Sequence, residues 1–207
     1  MAATVPRRKP EGTPWCEIVA IGASAGGFPA LVDILSAIQP EFPAIVIVQH
    51  LDPRHKSQMA ALLARKTQKP VKEAEDGEPI IQGTIYIGPP DEHLLVTRGR
   101  IQLAHSRLIR FSRPSIDILF GSVAATYGNR AIGVILSGSN RDGADGISAI
   151  KRVGGVTIAQ DPATAVYRIM PQAAIDTGCV DAIVPLNRIG ETLSKLFSSG
   201  GKKILHG

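Results

Sequence analysis

Ile18-Val19-Ala20-Ile21-Gly22-Ala23-Ser24-Ala25-Gly26-Gly27 passes from an unbroken aliphatic run into small residues gathered around one serine. The aliphatic run reads as a buried strand, and the small residues let the backbone turn sharply into a helix. Such a turn lifts the serine hydroxyl to the carboxyl edge of a sheet, beside helix N–H groups that lack partners. Three readings stay open on this stretch alone. A serine nucleophile would find donors there for a developing oxyanion. A phosphate would find the same N–H groups. A plain tight turn would need neither.

The neighbouring segments place this turn in a parallel α/β layout. Ile18–Ile21, Ala44–Val48, Ala131–Leu136, Val156–Ala159 and Ala182–Val184 read as buried strands, separated by helical patterns. Leu31, Ile34, Leu35 and Ile38 recur at helical spacing, and so do Ile116, Leu119, Phe120, Val123 and Ala124, with Pro114 placed in a first turn. Ile189, Leu193, Leu196 and Phe197 mark a final amphipathic helix. The middle breaks the rhythm. Val71–Ala74, Thr84–Ile87, Leu94–Thr97 and Ile101–Ala104 are short, with Arg98-Gly99-Arg100 as a hairpin turn, so an antiparallel insert or a sheet edge is expected there. The fold class is therefore α/β: a doubly wound, mostly parallel sheet with helices on both faces and an antiparallel β-hairpin at one edge.

Bulk composition narrows the function. A chain of 207 residues fits one large domain, with aromatics at only 4% so that aliphatic side chains must fill the core. Residues 1–14 read as a flexible lead-in, 15–198 as the folded domain and 199–207 as a flexible tail. Cys16 and Cys179 are too few for a disulfide framework or a metal cluster and read as buried free thiols in a reducing cytoplasm. No apolar run reaches the ~20 residues that cross a bilayer, so membrane insertion is not expected. The formal charge of +5 is scattered, without interleaved aromatics, which argues against nucleic acid and for faster encounter with an acidic protein.

A serine hydroxyl needs a base, and the base needs an orienting group. Of five histidines, His206 lies in the tail, His55 in the polar segment after a strand, and His93 and His105 beside the antiparallel segments. His50 alone directly follows a buried strand, the position equivalent to Ser24 one strand along. After the Ala131 strand comes Ser137-Gly138-Ser139-Asn140-Arg141-Asp142-Gly143-Ala144-Asp145-Gly146. Asp142 there reads either as the cap of the helix that follows or as the third member of a Ser24, His50, Asp142 set. Asp145 falls in the first helical turn, where the dipole favours it.

Ile21–Gly27, Gln49-His50, Val71–Glu78, Tyr86–Pro89, Arg113–Phe120, Gly133–Gly138 and Asp142–Ala144 together resemble, in order, the catalytic domain of the chemotaxis protein-glutamate methylesterase (CheB) family. The resemblance implies a Ser24–His50–Asp142 triad that hydrolyses glutamate γ-methyl esters on the cytoplasmic helical bundle of chemoreceptors, with deamidation of receptor glutamines in many members. It implies a cytoplasmic enzyme that needs no cofactor and no metal. Backbone N–H groups of Ala25 and Ser139 would hold the oxyanion. Arg113 and Arg141 would face the acidic receptor, or else stand solvated or ion-paired, and Met170-Pro171 would shape the site. Members usually carry an N-terminal receiver domain. The chain is accordingly expected to be a single-domain member, a piece of a longer protein, or a protein regulated by a separate receiver. Ala25 stands where the family often has threonine, and Gly138-Ser139-Asn140 where it usually has Gly-Met-Gly. The rival readings are a binding module that keeps the scaffold without activity and, more remotely, a nucleotide-binding flavodoxin-like domain. The latter is disfavoured because Gly22, Gly26 and Gly27 do not match a dinucleotide fingerprint.

Overall fold

The computed structural model describes residues 15–50, 57–110 and 112–198. The segments read as lead-in and tail lie outside the described residues, as do His55 and His206. Seven strands form one sheet: β1 (Ile18–Ala23), β2 (Ala44–Gln49), β3 (Val71–Glu73), β4 (Ile85–Ile87), β7 (Ala131–Ile135), β8 (Val156–Gln160) and β9 (Ala182–Val184). Their spatial order is β3-β4-β2-β1-β7-β8-β9, and every pair is parallel. The chain leaves β1 toward β2 and later returns on the other flank of β1 as β7. The crevice between β1 and β7 is therefore the switch point at which such sheets collect functional groups.

Strand β1 alternates its side chains between two cores, as a period of two requires. Val19, Ile21 and Ala23 face a layer built by α1 (Gly27–Ala37), α2 (Met59–Thr67) and α6 (Leu186–Ser198). Ile18 and Ala20 face the opposite layer of α3 (Ile116–Tyr127), α4 (Ala144–Arg152) and α5 (Ile169–Ile175). Helices thus cover both faces, which is why the central strands are aliphatic throughout. Strand β9 departs from the buried expectation: Ile183 is 52% exposed, as β9 closes one edge of the sheet with no further strand beside it among the described residues.

Both expectations for the middle of the chain are realised, in different places. β3 and β4 extend the parallel sheet to its other edge. β5 (His93–Thr97) and β6 (Arg100–Ala104) pair antiparallel as a separate two-stranded sheet. Arg98 and Gly99 turn the hairpin with φ of 52° and 75°, the double left-handed conformation that matches strand twist. The hairpin is tied to α3, where the Ser122 hydroxyl accepts the Val96 N–H at 2.9 Å and Thr126 donates to the Val96 carbonyl at 2.9 Å. Helix α3 begins at Ile116, so Pro114 lies ahead of the helix rather than in its first turn; Ser115, in extended conformation, occupies the boundary. Cys16 is buried, and burial pushes its thiol up to about 12, whereas Cys179 is only partly covered. Among the described residues, no helix is long and apolar enough to cross a membrane, and no group of three or more potential ligands could hold a metal.

Candidate active site

Three consecutive positions at the carboxyl edge of the sheet carry the predicted residues, and the structure brings all three together. Ser24 follows β1, His50 follows β2, and Asp142 lies beyond β7. The Ser24 hydroxyl is 3.1 Å from His50 Nδ1, and His50 Nε2 is 2.9 Å from Asp142 Oδ2. Nδ1 therefore faces the serine and Nε2 the aspartate. Asp142 is fully buried, while the His50 side chain retains 14% exposure.

The turn around Ser24 is held from both sides. Its N–H donates to the Ser137 carbonyl at 3.0 Å, and its own carbonyl accepts from Gly27 N–H at 2.8 Å and from the Gln49 carboxamide at 2.7 Å. Gly26 stands at φ 75°, and a Cβ there would come within 2.9 Å of both Ser137 Oγ and Val166 Cβ, so glycine is required on two counts. Among the described residues, neither the Ala25 nor the Ser139 N–H donates to an acceptor.

Asp142 does not cap the helix that follows it. Gly143 occupies that position, with no side-chain cap. The carboxylate instead caps α3, a different helix: Oδ2 accepts Ile116 N–H at 2.7 Å, and Oδ1 accepts Asp117 N–H at 3.1 Å and the Ser115 hydroxyl at 2.9 Å. Burial alone would raise the Asp142 carboxyl. The bonds from His50 and from the Ile116 and Asp117 N–H groups outweigh it and hold the pKa below the ordinary value. Asp142 is thus an ionised acceptor, so Nε2 of His50 carries the proton and Nδ1 offers a lone pair to the Ser24 hydroxyl. Such an arrangement can accept a proton from the serine as it attacks a carbonyl.

The remaining predicted residues divide. Arg113 is engaged, with Nε and Nη2 donating to Asp91 Oδ1 at 2.9 and 2.6 Å. Arg141 is exposed and lines an open cleft of about 550 Å³ with Arg168, Ile169, Gln172 and Asp176. Met170 is buried, and its N–H donates to Gly138 O at 3.0 Å, which ties α5 to the loop after β7. Three residues went unassigned in the sequence. Ser115 links buried His93, which accepts the Ser115 N–H at 3.1 Å, to Asp142. Asp117 accepts the Gly143 and Gly146 N–H groups at 2.9 and 2.8 Å. Asn140 donates to His50 Nδ1 at 3.1 Å.

Fold and site together define a doubly wound α/β protein with the geometry of a serine hydrolase. The family model for CheB methylesterase matches residues 19–193. The chain belongs to the CheB methylesterase family. It is 40% identical over 188 residues to the protein-glutamate methylesterase/protein-glutamine glutaminase of Yersinia pestis, covering 89% of this chain and 54% of that protein. A Leptospira interrogans protein provisionally given the same name is 40% identical over 182 residues, covering 87% of this chain and 94% of that one. The chain thus spans nearly all of one relative and about half of the other. The crystal structure of the Thermotoga maritima CheB methylesterase catalytic domain superposes with a TM-score of 0.83 at 38% identity, covering 87% of this chain and 98% of that one. The enzyme names of these relatives favour a catalyst over a binding-only module.

Proposed function

We propose that this protein hydrolyses glutamate γ-methyl esters on chemoreceptors, with Ser24 as nucleophile, His50 as general base and acid, and Asp142 as the group that orients and stabilises the imidazole. The hydrogen-bonded chain from Ser24 through His50 to a buried, ionised Asp142 carries the proposal. His50 Nδ1 takes the Ser24 proton while Oγ adds to the ester carbonyl. The negative oxygen is met by the N–H groups of Ala25 and Ser139, each worth about 3 kcal/mol by analogy with one measured oxyanion donor. Nδ1–H then protonates the departing methoxy oxygen, and methanol leaves. Water adds to the acyl-enzyme with its proton passing to Nδ1, and collapse returns that proton to Ser24 and frees the glutamate. A glutamine side chain would follow the same path with ammonia as the leaving group.

The surface beside Ser24 fits an acidic, helical partner in the cytoplasm. Val166, Tyr167 and Ile169 are 74%, 47% and 51% exposed, a concentration of apolar surface unusual enough to suggest contact. They stand on a rigid platform, since Tyr167 N–H donates to Ser137 Oγ at 2.9 Å and Gly138 N–H to Tyr167 O at 2.9 Å. Arg168 and Arg141 flank them and would draw carboxylates near the esterified glutamate. Regulation by a separate receiver protein would use the same face. The test is methanol release from a methylated receptor fragment. Ser24→Ala is expected to lower the rate by roughly 10⁴-fold or more, and a variant as fast as the parent protein would refute the triad.

A further inference from the structure

The loop before Asp142 carries a side chain whose hydrogen bonds do not fit a purely structural role. Asn140 Oδ1 accepts the Asp142 N–H at 3.1 Å, which fixes the carboxamide with its nitrogen toward the imidazole. Nδ2 then lies 3.1 Å from His50 Nδ1, the same atom that the Ser24 hydroxyl approaches at 3.1 Å. Because Nε2–H donates a hydrogen bond to the Asp142 carboxylate, Nδ1 has one lone pair and two donors compete for it. That competition ends when Nδ1 takes the Ser24 proton. Nδ1 is then itself a donor, and the Asn140 N–H loses its acceptor in the step that places negative charge on the carbonyl oxygen of the group bonded to Ser24.

The geometry points to Asn140 as a catalytic residue, a switching donor that holds the base in the resting enzyme and transfers its N–H to the oxyanion in the tetrahedral intermediate. This rests on the triad reading above and adds a side-chain donor to the backbone donors at Ala25 and Ser139. The exchange is well suited to the transition state, since the bond to the oxyanion becomes available only as the charge develops.

Two variants separate this role from that of a loop brace, with methanol release from a methylated receptor fragment and thermal unfolding as readouts. Asn140→Ala removes both donor and acceptor. It is expected to lower kcat by roughly 10²–10³-fold, as loss of one oxyanion donor does, with KM within about threefold. Asn140→Asp keeps an oxygen for the Asp142 N–H but cannot donate, and is expected to unfold within a few degrees of the parent while losing kcat by at least as much. An Asn140→Ala kcat within threefold of the parent, or an Asn140→Asp variant at the parental rate, would overturn the assignment. A fully active Ser24→Ala variant would instead bring down the triad on which it rests.

Discussion

Removing the Asp142 carboxylate should damage the fold far more than removing the Ser24 hydroxyl, although both belong to one proton-transferring set. In Asp142→Ala the Ile116 and Asp117 N–H groups lose their acceptor at the buried start of α3, and Ser115 loses its hydroxyl acceptor. The hydroxyl can rotate and His50 can turn to water, so the two backbone donors dominate. A buried donor left unpaired costs about 1–3 kcal/mol, and loss of a negative charge at a helix start adds a few tenths to 1 kcal/mol. The expected loss is roughly 2–7 kcal/mol, a large share of the ~5–15 kcal/mol that domains possess. For a domain of this size that corresponds to a fall in Tm of roughly 4–28 °C. Ser24→Ala removes one hydroxyl that donates to His50 and should cost less than about 1 kcal/mol. Urea denaturation of the two variants at neutral pH gives the comparison. Equal stabilities within about 1 kcal/mol would mean that Asp142 is not the cap of α3, and the account of why it is ionised would fall with it.

Two further variants probe the same region. Burial pushes Asp117 up to about 6 from 3.8, with help from the nearby Asp142 charge and against the Gly146 N–H. Its native state therefore binds more protons than the unfolded chain between about pH 4 and 6, so this residue's contribution to stability is lost as pH rises through that window. Asn at 117 keeps an oxygen for Gly143 and Gly146 without titrating, so the Tm of Asp117→Asn relative to the parent should be more favourable at pH 8 than at pH 4; a difference independent of pH would contradict the raised value. At Gly22 a Cβ would lie 2.4 Å from Ile116 Cγ2, so Gly22→Ala must displace the Ile116 side chain at the start of α3. A loss of about 1–3 kcal/mol together with a fall in kcat is expected, and an unchanged urea midpoint would show that α3 does not approach β1 this closely.

Much of this site was legible in the sequence because strand ends are local features. Ser24 and His50 are each the first residue after a strand that opens with an aliphatic run, and a doubly wound order places consecutive strand ends side by side. The partners of Asp142 were not legible. Sequence offers the helix immediately downstream as the one to cap, whereas the carboxylate reaches a helix start 26 residues away because α3 and α4 pack side by side across β1 and β7. The same limit explains Arg113, whose partner Asp91 lies 22 residues away, beside the hairpin. Val71–Ala74 reads as a short segment of an antiparallel insert or a sheet edge, and three partly buried residues carry no period that would decide between the two. Asn140 was seen only as a change in loop shape. Nothing in a linear reading says that its side chain would lie on the nitrogen that also faces Ser24.

The way Asp142 is buried bears directly on how well His50 can work as a base. A carboxylate without solvent needs several donors to remain ionised. An arginine could supply them, but its full charge would then compete with the imidazolium for the same oxygens. Among the described residues, the donors to Asp142 other than His50 and one hydroxyl are backbone N–H groups at the start of α3, which carry partial charge only. Asp117, in the first turn of that helix, accepts in return from Gly143 and Gly146 at the start of α4, so α3 is capped by a carboxylate from the loop leading into α4 and α4 by a carboxylate of α3. Arg110 is directed to Asp117 and Asp145. The full positive charge that forms beside Asp142 during proton transfer is therefore that of His50 itself, and the attraction between them is largest in the step that needs it. The two caps that join α3 to α4 thus prepare the base as well as the fold.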